Sequence, residues 1–561
     1  MKSKFSVARE KYIIIRSWFE TNEYLLFGLL LLFNLLPALS GKYFVTLDGP
    51  AHLHNAQLFL DMIVNPESAL HEYYALNELV PNLNSTVILA FFLSFLPAFL
   101  AEKVFVILYL ILTPLSFRYL IGSFSTSNKL FSYFIFPFTF TFVFLLGFYN
   151  FSIAIVILFF TLGFWIRYRA KAFSLKNFLF LLSLLLFTYF SHIFILAFVL
   201  LFMGLELLIG TAGSLYRNRN QVKEILQKFF MQTATLLAAA AIPLFFTYRF
   251  MSSRTTAEDL LMYLDSEELV SIITQFRPLI AYNFEIESPF TTALSYLLLF
   301  LFAAALILYF IRAIKKTGDL PTNPVKFKFL EPSIFWFSTF LILCVAYAIM
   351  PNQVGIGGYI SVRLAFLLLI TFILWLSTFR MPQWLMIGVI PVIIYINGNL
   401  TLYYLTVQRS LNNIAISIEE ASELVEPYST LIPLDFSGNW LFPHISNYAG
   451  INKPVVVLEN YEASSGSFPI LWKSNTFPQI LLGTKNNSEF ECAYWHTSSS
   501  SNKESADYVL VIGQLENTEQ LCQKSIAEEL QASFEIIYQS SHCTLHKLSV
   551  QQQTMTGEMA P

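Results

Sequence analysis

The sequence is poor in charged residues, which make up 13% of its 561 positions, about half the share that is usual in soluble domains. Hydrophobic residues make up 56%, and 58 residues are phenylalanine. A chain with so few charges cannot cover the surface of an ordinary globular protein. The apolar residues cluster in stretches of about 17–25, the length that a helix needs to cross a bilayer. The composition therefore predicts a polytopic membrane protein embedded in a lipid bilayer.

Cysteine is scarce too, and the four cysteines show neither the paired spacing of a metal site nor a disulfide framework. The sequence has no glycine-rich phosphate loop, so it does not indicate ATP-driven chemistry. Residues 1–405 hold 27 Lys and Arg against 20 Asp and Glu, and residues 406–561 hold 7 against 17. A basic membrane region followed by an acidic tail is not typical of a protein that binds nucleic acid.

The positions of Lys and Arg predict the orientation of the chain. Lys and Arg are enriched at the amino terminus, ahead of the first apolar run, which covers residues 24–39. They are also enriched in loops around residues 167–176, 217–228 and 312–328. The positive-inside rule places these segments in the cytoplasm, so we expect an uncleaved first helix and about eleven crossings of the cytoplasmic (inner) membrane. Residues 84–166 contain four apolar stretches, but the predicted sides of the flanking segments require an odd number of crossings. One of the four is expected to be re-entrant, fused with its neighbour or interfacial.

The last predicted crossing places the acidic tail on the outer side of the membrane. We therefore expect a transmembrane domain at residues 1–405 and a small extracytoplasmic α/β domain at residues 406–561. Short apolar runs rich in β-branched residues predict strands at residues 430–434, 454–458, 508–512, 534–538 and 544–548. Residues 516–530 are compatible with a helix. The predicted fold class is mostly α, a polytopic transmembrane helical bundle with this α/β domain attached.

The first outer loop carries the most informative polar residues. Asp48 follows the first apolar run by about nine residues, and Gly49 and Pro50 then break the chain and start a helix. His52 lies one turn along that helix. Asp48 could accept a proton from a hydroxyl or bind a cation, and His52 could orient a phosphate or share the proton. Alternatively Asp48 caps the helix and the histidine is merely interfacial, and spacing alone leaves both interpretations open.

Four short motifs lie in this loop and in the residues after it: Asp48-Gly49-Pro50-Ala51-His52, Tyr73-Tyr74, Pro81-Asn82 and Ala101-Glu102-Lys103. With the apolar helices and the soluble tail, they resemble the GT-C superfamily of integral-membrane glycosyltransferases. The resemblance implies a GT-C-like bundle, a polyprenyl phosphate sugar as donor, and a catalytic acid in the first outer loop. Many members carry two acids together in that loop, whereas Asp48 stands alone. A divalent cation usually takes more than one carboxylate, so we predict no metal site and no cofactor.

Other polar residues are expected near the outer ends of apolar helices. Arg363 is costly in a membrane unless it has a partner, and its planar fork suits phosphate oxygens. The alternative is an interfacial arginine that reaches the lipid headgroups. His192 and Asn150 lie at polar breaks between apolar stretches. Each is either part of a binding site or a structural residue at a turn.

Two further regions have an open interpretation. In the outer loop at residues 249–290, the acids Glu258, Asp259 and Asp265 could supply a second carboxylate, but such runs are usually solvated helix faces. Residues 439–462 of the tail combine aromatic and polar side chains that could stack on a sugar or simply hold the domain together. These side chains are Trp440, His444, Tyr448, Asn460 and Tyr461.

The expected function is the transfer of a sugar from a polyprenyl phosphate carrier to a glycan, lipid or protein acceptor on the outer face. Asp48 would take the acceptor proton, and Arg363, with His52 or His192, would stabilise the departing phosphate. One alternative is a transporter or flippase of a lipid-linked substrate, which predicts inverted repeats and charged groups in broken helices. Another is a non-catalytic membrane scaffold that displays the acidic tail.

Overall fold

The computed structural model describes residues 2–125, 128–169, 174–253, 261–314, 331–355, 357–473, 481–482, 493–494, 506–515 and 521–549. The protein is mostly helical, at 71%, with a small sheet region near its C-terminus. Within the described residues, seven helices are long and apolar enough to cross a membrane: Ala98–Phe124, Tyr149–Tyr168, Ile193–Arg217, Arg219–Ser253, Phe284–Ile311, Glu331–Ile349 and Gln383–Ser422. Shorter apolar helices are Asn84–Leu93, Leu175–Ser191 and Ile360–Leu376. The count of eleven crossings and their orientation stay predictions.

The remaining helices and strands are short or lie outside these spans. The helix Lys2–Asn34 covers most of the expected first crossing and is not among the seven. The other α-helices are Leu36–Leu39, Gly49–Val64, Leu70–Tyr73, Phe142–Leu145, Ser266–Thr274, Tyr461–Ser465 and Leu521–Ser533. The 3₁₀ helices include Lys129–Phe138, Arg277–Leu279 and Ile445–Gly450. Two isolated strand pairs join Leu261–Met262 to Gln353–Val354 and Leu481–Leu482 to Ala493–Tyr494.

In the ambiguous region at residues 84–166, two of the four apolar stretches form no membrane-length α-helix among the described residues. The first gives the helix Asn84–Leu93, which has 10 residues. The third stretch folds as the 3₁₀ helix Lys129–Phe138 followed by the single turn Phe142–Leu145. Pro137 lies inside this 3₁₀ helix, one residue before its end, and Gly147 takes a left-handed conformation with φ of +81°. Which of the four stretches does not cross the membrane stays a prediction.

Contacts between Cα atoms divide the chain into two compact units. The helical unit comprises Met1–Leu36, Leu108–Leu145 and Phe151–Tyr404. The mixed unit comprises Pro37–Ile107, Leu146–Asn150 and Leu405–Pro561. The first outer loop thus packs with the tail, and the helix Gln383–Ser422 continues past the expected boundary at residue 405. The division into domains 1–405 and 406–561 stays a prediction.

The helical unit pairs the polar groups that its helices carry. Arg118 donates two parallel hydrogen bonds of 2.6 Å to Glu23. The Asn34 amide donates to Thr139 at 2.9 Å and accepts from Asn397 at 2.6 Å. Unpaired charges and amides are costly in apolar surroundings, so these contacts stabilise the unit and fix its helices against one another.

The tail contributes a five-stranded sheet to the mixed unit. Its strand order is Phe534–Gln539, Cys543–Leu548, Tyr508–Ile512, Thr430–Asp435 and Val456–Val457. The first two pairings are antiparallel and the last two are parallel. The five strands predicted from the tail sequence are therefore confirmed. The helix expected at 516–530 is observed as Leu521–Ser533, while residues 516–520 lie outside the described residues.

A second, two-stranded sheet ties the first outer loop to the tail within the mixed unit. The strand Tyr74–Leu76 pairs antiparallel with Ile470–Trp472, and the rings of Tyr74 and Trp472 stack at 4.3 Å. The helix Gly49–Val64 packs against the helix Asn84–Leu93 and the 3₁₀ helix Ile445–Gly450. This packing brings the polar residues of the tail beside the start of the helix that follows Asp48.

Candidate active site

Asp48 ends the turn that leads into the helix Gly49–Val64. Pro50 lies in the first turn of that helix, as the sequence predicts. Asp48 occupies the N-cap position, but its side chain makes no capping hydrogen bond. Thr46 supplies the cap instead, because its hydroxyl accepts the Gly49 N–H at 3.0 Å. The capping interpretation of Asp48 is therefore wrong, and its buried carboxylate serves other contacts.

Gly147 holds the Asp48 turn from the other side. The carbonyl of Leu146 accepts the Asp48 N–H at 3.1 Å. A Cβ at residue 147 would lie 2.6 Å from the Asp48 nitrogen and 2.8 Å from its Cβ. Because φ at Gly147 is also positive, glycine is the residue that fits this position.

His52 joins the same turn to the tail. Its Nε2 lies 2.9 Å from the Gly147 carbonyl, and its Nδ1 lies 2.6 Å from the Glu462 carboxylate. Both partners are acceptors, which favours the protonated form of the ring. Burial by itself lowers the pKa of His52, but the charge and hydrogen bond of Glu462 outweigh burial and the pKa is raised. The environment of His52 therefore favours a positive charge near Asp48.

His444, from the tail, reaches Asp48 directly. Its Nε2 lies 3.7 Å from Asp48 Oδ1, and its Nδ1 lies 2.8 Å from Glu459 Oε1. The ring stacks on Tyr461 at 4.4 Å, and the Tyr461 hydroxyl donates a hydrogen bond to the Asp48 carboxylate. Asn447 donates to the other oxygen of Glu459 at 3.0 Å. One histidine is thus held between two carboxylates.

Asp48 has the electrostatics of a general base. Burial raises its pKa, the charges of His444 and His52 and the Tyr461 hydrogen bond oppose this, and the balance is a pKa of about 6. The charge of Glu462 adds a smaller upward contribution. A carboxylate with a pKa near the working pH is ionised and still basic enough to take a proton in a transition state.

Glu102 and Tyr448 anchor the tail beside this site. Glu102 is buried and accepts a hydrogen bond from the Tyr448 hydroxyl at 3.2 Å. Lys103 donates to the carbonyl of Gly41 at 2.6 Å. The Tyr448 ring also packs against Tyr43 at 4.7 Å. The motif Ala101-Glu102-Lys103 therefore has a structural use in the mixed unit.

His54 and Asn55 make further bonds from the helix Gly49–Val64 to the tail. His54 Nε2 lies 2.9 Å from the Val455 carbonyl, and its Nδ1 lies 2.9 Å from Asn447. Asn55 exchanges side-chain hydrogen bonds of 3.0 and 2.8 Å with Asn460. The two side chains hold the helix in place against the tail.

Asn150, a predicted site residue, uses its side-chain amide in structural hydrogen bonds. Its Nδ2 donates to the Asn82 carbonyl at 3.0 Å and to the Ser85 hydroxyl at 2.6 Å, and its Oδ1 accepts the Ser85 N–H at 2.8 Å. These bonds fix the start of the helix Asn84–Leu93. A role for Asn150 in substrate binding stays a prediction.

Arg363 and His192 lie together in the helical unit. Arg363 Nη1 lies 3.1 Å from His192 Nε2, and the guanidinium lies over the Phe151 ring at 5.3 Å. Arginine only donates, so His192 accepts at Nε2 and its imidazole is neutral. The sequence predicted both residues separately, and the fold brings them into contact.

The three acids predicted as possible second carboxylates differ in what the structure shows of them. Glu258 and Asp259 lie outside the described residues. Asp265 caps the helix Ser266–Thr274, where its side chain accepts the Glu268 N–H at 2.8 Å and the Glu268 side chain accepts the Asp265 N–H at 3.0 Å. The solvated-helix interpretation is therefore confirmed for Asp265.

Several residues of the site were not predicted as such from the sequence. Sequence patterns indicate no role for Gly147, and Glu459 and Glu462 are simply members of the tail stretch at residues 439–462. A signal was present in the short interval from His444 to Glu462, which places one histidine, two acids and Tyr461 close together in sequence. Its significance depends on the contact with Asp48, which is remote in sequence.

The described residues contain no group of three or more His, Cys, Asp or Glu side chains arranged to hold a metal ion. The expectation that the chemistry needs no metal stays a prediction. No family model matches the sequence, and no curated protein matches it. The GT-C resemblance accordingly rests on the residues and the architecture described above.

Proposed function

We propose that the protein is a membrane glycosyltransferase, which transfers a sugar from a polyprenyl phosphate carrier to an acceptor hydroxyl. The observation that carries the proposal is the environment of Asp48, a buried carboxylate beside two histidines with a pKa of about 6. Apolar helices that could cross a bilayer make a lipid-linked donor suitable, since such a carrier stays in the membrane. Arg363 and His192 are kept as predicted ligands of the donor phosphate.

Asp48 acts as the general base in this proposal. The acceptor oxygen attacks the anomeric carbon and forms the new glycosidic bond, while the bond from that carbon to the phosphate oxygen breaks. The acceptor proton passes to Asp48, and the electron pair of the broken bond leaves with the polyprenyl phosphate.

The test is a transfer assay with the purified full-length protein in lipid nanodiscs. Defined polyprenyl phosphate sugars and a panel of glycan, lipid and peptide acceptors are supplied, and products are identified by mass spectrometry. We expect one donor to give a glycosylated product. If no donor gives product and the protein in liposomes moves the lipid-linked sugar across the bilayer, the protein is a transporter and the proposal is wrong.

The rate should depend on pH through Asp48. Its pKa of about 6 means that the carboxylate is half protonated at that pH. Only the carboxylate can take the acceptor proton, so kcat/KM should halve near pH 6 and fall about tenfold for each further pH unit of acidification. A profile of kcat/KM from pH 5 to pH 9 measures this. A midpoint near pH 4, the ordinary value for Asp, would contradict the role of Asp48.

Arg363 is predicted to bind the donor phosphate. Arg363→Gln should reduce kcat/KM for the donor by about 10²-fold, since removing one charged donor to a developing anion has effects of this order. Arg219→Gln is the matched control, because Arg219 is exposed and also lies over an aromatic ring, that of Tyr216, at 5.9 Å. Steady-state kinetics with varied donor concentration compare the two. Equal activity of both variants would remove Arg363 from the site.

A further inference from the structure

We propose that His444 and Glu459 form a proton relay that carries the proton from Asp48 out to solvent after each sugar transfer. This inference rests on the proposed function, because it concerns the proton that Asp48 receives from the acceptor. The three side chains form a series of contacts: Asp48 lies 3.7 Å from His444 Nε2, and His444 Nδ1 lies 2.8 Å from Glu459. Their exposed fractions rise in the same order, from 7% to 17% to 27%.

The burial of Asp48 makes an exit path necessary. One proton arrives on Asp48 in every turnover, and the carboxylate has to be restored before the next one. A group with 7% exposure exchanges protons with water poorly by direct contact. His52 offers no route to water, because its Nε2 faces the Gly147 carbonyl and its Nδ1 faces the fully buried Glu462 carboxylate. His444 Nε2 faces Asp48, and it accepts the proton when the ring is in its neutral form with the hydrogen on Nδ1.

The relay has two steps in which protons and charges balance. Protonated Asp48 gives its proton to His444 Nε2, which leaves Asp48 as a carboxylate and His444 as a cation. His444 then gives its Nδ1 proton to Glu459, which leaves a neutral ring with its proton on Nε2, and Glu459 releases the proton to water. Proton exchange between the partly exposed ring and water returns the hydrogen to Nδ1, so that Nε2 can accept again in the next turnover. The distance of 3.7 Å is longer than a hydrogen bond, so the first step requires Asp48 and His444 to approach by about 1 Å. Such tightening is common in catalytic pairs once substrate is bound.

The groups that face the relay favour its first step, the transfer from Asp48 to His444. Asp48 and Glu459 are both negative and lie on opposite sides of His444, and the charge of Glu462 acts on His444 from further away. Burial by itself lowers the pKa of His444, but these carboxylates outweigh burial and raise it. A histidine made more basic in this way can take a proton from a neighbouring carboxylic acid. Asn447 keeps Glu459 in position.

The test separates the first turnover from later ones. Glu459→Gln keeps an oxygen that can accept the His444 Nδ1 hydrogen bond but cannot hold the proton. Enzyme is mixed with saturating donor and acceptor, and product is followed from the first turnover by rapid quench. We expect a burst of about one product per enzyme at the wild-type rate, and then a steady rate reduced by 10- to 100-fold. A small buffer base added at high concentration should restore part of the steady rate.

A second variant and a control complete the experiment. His444→Gln should show the same burst and slow steady rate. If His444→Gln does not fold, Glu459→Gln alone tests the relay, because Glu459 is partly exposed. His546→Gln is the control, because His546 is a partly buried histidine of the same unit, in the strand Cys543–Leu548, which pairs with Tyr508–Ile512 and Phe534–Gln539. It should lower the unfolding temperature and show no burst.

The outcomes distinguish the relay from the proposed function. A wild-type steady rate without a burst in Glu459→Gln, combined with loss of transfer in Asp48→Asn, overturns the relay and leaves the transferase. A first turnover slowed as much as the steady rate also overturns it, since a residue that only positions Asp48 would have that effect. Absence of any product from the wild-type protein overturns the proposed function itself.

Discussion

Asp48→Asn is expected to lower the rate of sugar transfer by about 10³-fold, the size of effect that loss of a general base produces. Asparagine has the same shape, and the backbone hydrogen bond from residue 48 to the Leu146 carbonyl is unchanged. The amide cannot take a proton at neutral pH, so the acceptor hydroxyl is no longer activated. The measurement is the rate of product formation with the donor that wild type uses.

The same variant should be at least as stable as the wild-type protein. The pKa of Asp48 is raised to about 6 from an ordinary value near 4, so the carboxylate is held less favourably in the folded protein than in the unfolded chain. That cost is fully present above pH 6 and disappears below about pH 4. Asparagine removes it at neutral pH, so the unfolding temperature should stay equal or rise while activity falls.

Asp61→Asn is the matched control for Asp48→Asn. Asp61 lies on the same helix, where its carboxylate accepts hydrogen bonds from Ser68 and Tyr428. Its loss should leave transfer within about twofold of wild type. Full transfer by Asp48→Asn with normal expression would reject the catalytic role, and loss of transfer in both variants would show that the effect is structural.

Gly147→Ala is expected to have a large effect on both stability and transfer. A Cβ at this position meets the Asp48 nitrogen at 2.6 Å, and a positive φ costs a residue other than glycine about 1–2 kcal/mol. Overpacking adds about 1–3 kcal/mol. Because the Asp48 turn must also move, transfer should fall by about 10²-fold, as misplacement of a catalytic group by 1 Å can cause. Denaturation in detergent and the transfer assay measure the two effects.

Gly438→Ala provides the comparison. Gly438 also has a positive φ, +64°, but an added Cβ there meets nothing within 4 Å. This variant should lose only the backbone contribution of about 1–2 kcal/mol and keep its transfer activity. If the two variants lose equal stability and equal activity, the close approach of Gly147 to Asp48 has no importance of its own.

The local features of this protein could be predicted from its sequence because they depend on near neighbours. The apolar stretches gave helices, and the runs at Thr430–Asp435 and Tyr508–Ile512 gave strands. Pro50 started the helix after Asp48. In each case the pattern of side chains within a few residues decides the backbone conformation.

The assembled site could not be predicted in the same way. His54 and Asn447 are hydrogen-bonded across 393 residues, and His444 meets Asp48 through similarly distant contacts. A periodic pattern carries no information on which remote segments pack together. Gly147 lies at a break between apolar stretches that looks like an ordinary turn, and its close fit against Asp48 appears only in three dimensions.

The bonds between the helix Gly49–Val64 and the tail set the order in which the protein can mature. A ribosome that adds about 5–20 residues each second completes Asn447 some 20–80 seconds after His54. During that interval His54 has neither of its final partners, Val455 and Asn447, and the strand Tyr74–Leu76 is unpaired. Synthesis that stops before Ile470–Trp472 leaves the edge of that strand unpaired, and such an edge is open to pairing with another chain.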